Sequence, residues 1–167
     1  MLKEIRQRRS IRKYENRPIP DNILESLLRS AMQAPSARNM QPWEFVVVKD
    51  RDILRRIPDY HPYSSMVPGA GAAILVCGNA ELQDEPGYII QDCSAAVQNL
   101  LLEAVNQGLG AVWLGIFPRK ERMEGMTELF SLPGNIIPVA LVSVGYPAEK
   151  PGIEDRFAPE KVHYNRW

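Results

Sequence analysis

The sequence has little cysteine, little histidine and no net charge. It contains two cysteines and two histidines, and 20 basic residues balance 20 acidic ones. Neither cysteine nor histidine recurs at the spacing of a metal site, so we expect no bound metal. No apolar run approaches the roughly 18 residues that a membrane-spanning helix needs. A neutral chain also disfavours nucleic acid as a partner, because nucleic-acid surfaces concentrate basic residues.

The motifs of self-sufficient catalysis are missing as well. The chain has no G-x-S-x-G nucleophile elbow, no Walker loop and no G-x-G-x-x-G between a strand and a helix. An enzyme without its own nucleophile, acid–base pair or metal usually takes its chemistry from a cofactor. Cys77 and Cys93 lie in apolar segments, which favours buried structural thiols in a reducing cytoplasm. The start MLKEIRQRRS has no apolar stretch behind its charges, so we expect no signal peptide.

Length and composition predict one globular domain over residues 1–167, with 45% hydrophobic and 24% charged residues. Apolar periodicity predicts helices over residues 2–9, 21–34, 50–57, 88–107 and 120–130, with Asp21 as an N-cap and Gly108 as a stop. Four apolar runs predict strands: WEFVVVK, AAILVCG, GAVWLGIF and IIPVALVSVGYP. Helices alternating with these strands predict a sheet covered on both faces. The segment PDYHPYSSMVPGAG is expected to be a long surface loop or lid.

The positively charged stretch RQRRSIRKY, residues 6–14, is the first candidate site. Arg8 and Arg12 lie four residues apart with Ser10 between them, and guanidinium groups with a hydroxyl suit a phosphate. Taken alone, a cluster of this kind is more often a solvated basic face. The segment by itself leaves both interpretations open.

Two further stretches have a functional and a plain interpretation. In APSARNMQPWEF, residues 34–45, the amides of Asn39 and Gln41 can read the edge of a planar heterocycle, or they can simply form a turn. In GLGAVWLGIF, residues 108–117, Gly115 interrupts a buried strand. A glycine there indicates either the close approach of another group or a β-bulge.

The C-terminal segment AEKPGIEDRFAPEKVHYNRW is rich in proline and large apolar side chains. It carries Ile153, Phe157, Val162, Tyr164 and Trp167. Because so many apolar groups are unfavourable in water, we expect the segment to pack on its own domain or on a partner subunit.

Together these stretches resemble the nitroreductase family of flavin-dependent oxidoreductases. The resemblance rests on RRSIRKY, APSARNMQPWEF, GLGAVWLGIF, VALVSVGYPAEKP and RFAPEKVHYNRW, in this order along nearly the whole chain. It implies an α+β fold with a mixed central sheet flanked by helices. It also implies a homodimer with a C-terminal segment exchanged between subunits, FMN at the subunit interface, and NADH or NADPH as the reductant.

The resemblance also assigns flavin contacts to particular residues. The residues of one subunit that would hold the phosphate, the ribityl chain and the pyrimidine edge of FMN are Arg8, Arg9 (partly through its backbone), Ser10, Arg12 and the tail residue Arg156. Those that come from the other subunit are Pro35, Ser36, Ala37, Asn39 and Gln41. Trp113, Leu114 and Gly115 lie against the ring, with the Gly115 amide toward N5. No side chain is assigned an acid–base or metal-binding role.

The chain departs from many relatives in lacking the long helical insertions that cover the substrate pocket. The loop DYHPYSSMVPG is a candidate replacement, with Tyr60, His61, Tyr63 and Met66 as possible substrate neighbours, although an ordinary packed loop is the plainer interpretation.

Three functions follow from the sequence, in order of preference. The first is an FMN-dependent NAD(P)H oxidoreductase that passes two electrons to a small acceptor such as a nitroaromatic or a quinone. The second is a flavin protein of the same fold without nitroreductase turnover, for example a flavin-remodelling or dehalogenating enzyme. The third is a non-enzymatic binding module whose arginines bind a polyanion.

Overall fold

The computed structural model describes the whole chain, residues 1–167, as helices packed on one four-stranded sheet. The helices are α1 (Lys3–Gln7), α2 (Asp21–Ala31), α3 (Arg51–Arg56), α4 (Pro86–Asn106) and α5 (Lys120–Phe130). The strands are β1 (Trp43–Val48), β2 (Ala72–Asn79), β3 (Gly110–Gly115) and β4 (Ile136–Gly145). The α+β class is therefore confirmed.

The sheet has the order β1-β2-β4-β3, and each pair of neighbouring strands is antiparallel. Its mixed character comes from one parallel bridge, between Ser10 in the N-terminal segment and Ala111 in β3. This bridge places the arginine-rich stretch along the outer edge of the sheet.

Both faces of the sheet are covered, as the alternation of helices and strands predicts. Successive strand residues point to opposite faces. On one face Ile74 and Val142 pack against α2 and α4, where Leu100 is fully buried. On the other face Leu75 and Leu141 form a second apolar cluster that includes residues of α3 and α5. The two clusters fix β4 at the centre of the domain.

The predicted bounds shift at several helix ends, and α1, predicted over residues 2–9, ends at Gln7. Asp21 is not the N-cap of α2: Pro20 takes that place, and the Asp21 carboxylate pairs with Lys49 instead. The same helix ends at Ala31, three residues before the predicted end. The predicted stop at Gly108 is confirmed, because its φ of 72° lies in the left-handed region that favours glycine. No helix of the chain is both long and apolar enough to cross a membrane.

The segment predicted to be a surface loop or lid is packed into the domain. The 3-10 turn Ile57–Asp59 overlaps its start, the 3-10 turn Val67–Gly69 lies within it, and Val67 is fully buried. Arg51 holds its far end by donating to the carbonyl oxygens of Ala70, at 2.7 Å, and Pro68. The packed-loop interpretation is the correct one for most of this segment.

The C-terminal segment is not buried by its own domain. Phe157 is 76% exposed, Tyr164 is 84% exposed and Trp167 is fully exposed. The expectation that these side chains pack on their own domain is therefore wrong. Packing on a partner subunit stays a prediction.

We expect both thiols to be chemically inert in the folded protein. Cys77 and Cys93 are free and fully buried, and burial raises the pKa of each to about 12. Since the thiolate is the reactive form, a disulfide reagent at neutral pH should find almost no target. Ellman's reagent should therefore label neither cysteine in the native protein and both in guanidinium chloride. Rapid labelling of the native protein would contradict this burial.

Candidate functional site

An arginine cluster lies where the N-terminal segment meets the C-terminal tail. The side chain of Arg8 is half-buried and forms neither a hydrogen bond nor an ion pair. Burial lowers its pKa, and the neighbouring charges of Arg156 and Arg9 lower it further. A half-buried cation that faces other cations is unfavourable unless an anion joins them.

The tail takes part in this cluster because Arg9 holds it in place. Arg9 donates to the Gly152 carbonyl at 2.7 Å and pairs with Glu154 at 3.0 Å. Glu154 also pairs with Arg156 at 3.1 Å, and these arginines, Arg9 first, lower the pKa of its carboxyl. One carboxylate thus serves two guanidinium groups, and Arg8 has none.

The cluster lines a cavity of ≈ 460 Å³ with no hydrophobic lining residue. Its walls are Arg8, Arg9, Ser10, Arg12, Glu149, Pro151 and Arg156. The carboxylate of Glu149 accepts the backbone N–H groups of Arg12, at 2.5 Å, and Lys13, at 3.1 Å, rather than a side-chain cation. The guanidinium group of Arg12 therefore remains free, and the cavity is suited to an anion with several oxygens.

A second pocket, of ≈ 440 Å³, adjoins the first and shares Arg12 with it. It brings together the loop after α3, the end of β3 and one residue of α5: Arg12, His61, Pro62, Tyr63, Ser65, Met66, Trp113, Leu114, Gly115 and Arg122. Three of the four proposed substrate neighbours are here, and Tyr60 is not. Arg122 was not predicted as a site residue, because nothing in the neighbouring sequence distinguishes it from any other arginine on an amphipathic helix.

Gly115 occupies a regular position in β3, opposite Ala140 of β4, so the β-bulge explanation is wrong. The only irregularity in the sheet lies between Val76 and Cys77. Gly115 faces open space, since a Cβ added there would meet no atom within 4 Å. The space required for a group approaching this strand is therefore present.

The Gly115 carbonyl turns away from the sheet. Its oxygen accepts from His61 Nε2 at 3.0 Å and from Arg122 Nη1 at 2.7 Å. In an antiparallel pair, opposed residues either exchange both backbone hydrogen bonds or neither. Because the Gly115 carbonyl points outward, its N–H must point outward as well. The N–H therefore faces the outer edge of β3, where the second pocket lies.

His61 is buried beside this carbonyl in one defined protonation state. It is 2% exposed, and its Nδ1 accepts the Tyr63 backbone N–H at 3.2 Å. Nδ1 must then be unprotonated, so Nε2 carries the hydrogen that is donated to Gly115. Burial lowers the pKa of His61, and the charge of Arg122 lowers it as well.

The second motif forms a separate group of residues. Ser36 Oγ accepts the Gln41 N–H at 3.0 Å, and the Gln41 amide donates to Asn39 at 3.3 Å. Asn39 and Gln41 have φ values of 57° and 51°, so a turn presents both amides. The Asp92 carboxylate accepts the Ala37 N–H at 3.0 Å. Asp92 has no signal in the sequence, because it lies 55 residues away in α4.

The structure therefore divides the proposed flavin contacts into two sets within one chain. Pro35, Ser36 and Ala37 line a cavity of ≈ 280 Å³ against α4, which shares no residue with either arginine-lined pocket. No group of histidine, cysteine and acidic residues is arranged to hold a metal ion.

Comparison with known proteins agrees with the fold and the motifs. The sequence profile of the nitroreductase family matches residues 5–61 and 61–146. A Methanothermobacter thermautotrophicus protein, provisionally described as an NADH dehydrogenase/NAD(P)H nitroreductase, is 47% identical over 167 residues, covering 100% of this chain and 87% of its own.

Two solved structures extend the comparison to three dimensions. The FMN-dependent nitroreductase of Clostridium difficile R20291 has a TM-score of 0.92 at 27% identity, with 100% of both chains covered. A protein of Desulfovibrio desulfuricans, provisionally named a nitroreductase and solved in complex with FMN, has a TM-score of 0.85 at 32% identity. That match covers 98% of this chain and 95% of the other.

These matches identify an oxidoreductase. The chain belongs to the nitroreductase family.

We expect His61 to make stability depend on pH. Its folded pKa lies below the unfolded value of 6.5, so the unfolded chain takes up the proton first. The contribution of neutral His61 to the free energy of unfolding is complete above pH 6.5. It is lost as the pH falls toward the folded pKa, by at most about 1.4 kcal/mol per pH unit. Urea unfolding at about pH 7.5 and about pH 5.5 should show the loss.

The second histidine provides a matched control. His163 lies exposed in the tail, so His163→Gln should keep the pH dependence. His61→Gln should reduce it. An unchanged pH dependence in His61→Gln would contradict the assignment.

Proposed function

We propose that this protein is an FMN-dependent NAD(P)H oxidoreductase that reduces a small organic acceptor, either a quinone or a nitroaromatic. NAD(P)H supplies a hydride and solvent supplies one proton. A quinone would leave as the hydroquinone, or a nitro group as the nitroso group plus water, with NAD(P)⁺ as the other product.

The observation that carries the proposal is the uncompensated arginine cluster beside a second pocket. Arg8 has no acidic partner, and Arg9 and Arg156 share Glu154. A phosphate monoester carries about two negative charges near neutral pH and three acceptor oxygens, which matches this deficit. The adjoining pocket, with Trp113 and Leu114, is where a ring system attached to that phosphate would lie.

The donor set fits FMN in residue type as well as in charge. Arg8, Ser10 and Arg156 would hold the phosphate, and Arg12, which lines both cavities, would reach the pyrimidine edge of the ring. FMN, when bound, accepts a hydride and passes two electrons to the second substrate. The outward N–H of Gly115 supplies a hydrogen-bond donor at the strand edge, and the absent side chain leaves that edge uncrowded.

The protein's own contribution is binding, orientation and charge. Arg12 places a cation beside the edge of the pocket, and its field favours an electron-rich ring over a neutral one. His61 stays neutral and holds the strand end through the Gly115 carbonyl. No protein side chain has to act as an acid or a base, which is consistent with the absence of a catalytic triad or a metal cluster.

A homodimer would complete the site. Neither arginine-lined pocket is lined by Pro35, Ser36, Asn39 or Gln41, and the exposed apolar tail lacks a surface to cover it. A second copy of the chain would meet both needs, with FMN between the subunits and the tail crossing over. We expect a cytoplasmic enzyme, because its two thiols are free.

Flavin binding is the direct test. The purified protein should be yellow or should take up added FMN, and the Arg8→Ala/Arg156→Ala variant should bind FMN about 100-fold more weakly or worse, because two charge-assisted contacts are lost. Titration followed by flavin fluorescence measures this.

The matched control removes two exposed charges from the same region. Arg6→Ala/Lys13→Ala should bind FMN like the wild type, since neither side chain lines the cavity. Colourless protein that takes up no FMN would refute the proposal. Bound FMN that both NADH and NADPH reduce only slowly would favour the flavin-remodelling or dehalogenating alternative instead.

The dimer is tested by mass. Light scattering on the full chain should give twice the mass of the 18.9 kDa monomer. Phe157→Ser/Trp167→Ser should shift the mass toward the monomer and weaken FMN binding, because both apolar anchors of the tail are lost. A monomeric wild type that still binds FMN tightly would disprove the shared site.

A further inference from the structure

We propose that Arg122 determines which acceptor the second pocket takes, and that it selects aromatic molecules bearing a carboxylate. This inference rests on the proposed function, because it names the substrate class of the same pocket. It concerns a residue to which neither the sequence motifs nor the flavin contacts assign a role.

The position of Arg122 is fixed by two contacts. Nη1 donates to the Gly115 carbonyl at 2.7 Å, and the guanidinium carbon lies 5.4 Å from the centroid of the Tyr63 ring. The side chain forms no ion pair and no second hydrogen bond with the protein. An arginine has five N–H donors, so four of them are left for a ligand in a group that is already oriented.

The charge of the pocket favours an anion. Arg12 and Arg122 line it, and no aspartate or glutamate does. Arg12 also lines the first, arginine-lined cavity, and in the proposed function it contacts the flavin. Arg122 lines the second pocket and not the first cavity. One oriented cation is therefore available for the acceptor.

The rest of the pocket wall suits a flat aromatic body. Tyr63 is 68% exposed, so its ring offers open apolar surface near the guanidinium group, whereas Trp113 is used by the flavin ring in the proposed function. A carboxylate can pair with two N–H groups of an arginine fork while its ring lies against such surface. A benzoate-like acceptor meets both conditions.

A pair of acceptors with the same ring and nearly the same size tests the proposal. The FMN-loaded wild type should have a higher kcat/KM for 4-nitrobenzoate than for 4-nitrobenzamide, and the difference should lie in KM. Arg122→Gln should reduce this preference by about tenfold or more, because one charge-assisted contact is lost. Turnover of the neutral amide, measured per bound FMN, should fall by a smaller factor, because the amide carries no charge for the guanidinium group to bind.

The controls separate charge recognition from other roles. Arg119→Gln removes an exposed charge one turn earlier that does not line the second pocket, and it should keep the preference. Arg122→Lys should retain part of it. If Arg122 only supports the strand, both acceptors should slow equally in Arg122→Gln, which would overturn the proposal.

Two measurements keep the test decisive if Arg122→Gln does not fold. In the wild type, benzoate should inhibit amide reduction competitively, and benzamide should inhibit far more weakly. The KM for 4-nitrobenzoate should rise with salt, and that for the amide should not. Equal inhibition by the two compounds would refute the proposal.

Failure of the Arg122 proposal can be distinguished from failure of the proposed function. Protein that binds no FMN would reduce neither acceptor. A rise in the KM for NADH alone, with the acceptor preference intact, would assign Arg122 to the dinucleotide phosphates and overturn the inference.

Discussion

The outer edge of β3, which no other strand of the sheet covers, is the constraint on which the rest of the site depends. A strand at the edge of a sheet leaves alternate backbone groups without a neighbouring strand, and these groups need other partners. The N-terminal segment pairs with this edge through Ile11, whose N–H donates to the Ala111 carbonyl at 3.0 Å. His61 and Arg122 satisfy the Gly115 carbonyl at the other end. The edge thus organises both pockets.

This arrangement explains how a chain of zero net charge can hold a strongly basic site. The bridge between Ser10 and Ala111 fixes the arginine-rich stretch against the sheet, and Arg9 draws Glu154 and Arg156 of the tail to it. The carboxylates close to the cavity are used on backbone N–H groups or are shared. The local excess of positive charge is therefore a product of the fold and not of the composition.

Local periodicity predicted each helix and strand of the fold, and α5 has the predicted bounds, whereas α1 and α2 end two and three residues earlier than predicted. The prediction of Asp21 as the N-cap of α2 was wrong, because helix propensity does not reveal that Lys49, 28 residues away, pairs with that carboxylate. The packed state of the loop after α3 depends on the burial of His61, Ser64 and Val67 against distant strands. Arg122 and Asp92 were missed for the same reason, since their roles exist only through long-range contacts.

The same contacts limit how a dimer could share the tail. Arg9 binds Gly152 and Glu154, so the first part of the tail is tied to its own subunit at the edge of the phosphate cavity. Arg156 follows two residues later and lines the same cavity. The exchange that we propose then concerns the residues after Arg156, where the exposed apolar side chains lie. In such a dimer the cationic part of the tail would serve one flavin site, and its apolar part would cover the neighbouring subunit. Anion binding and dimer formation would therefore stabilise each other.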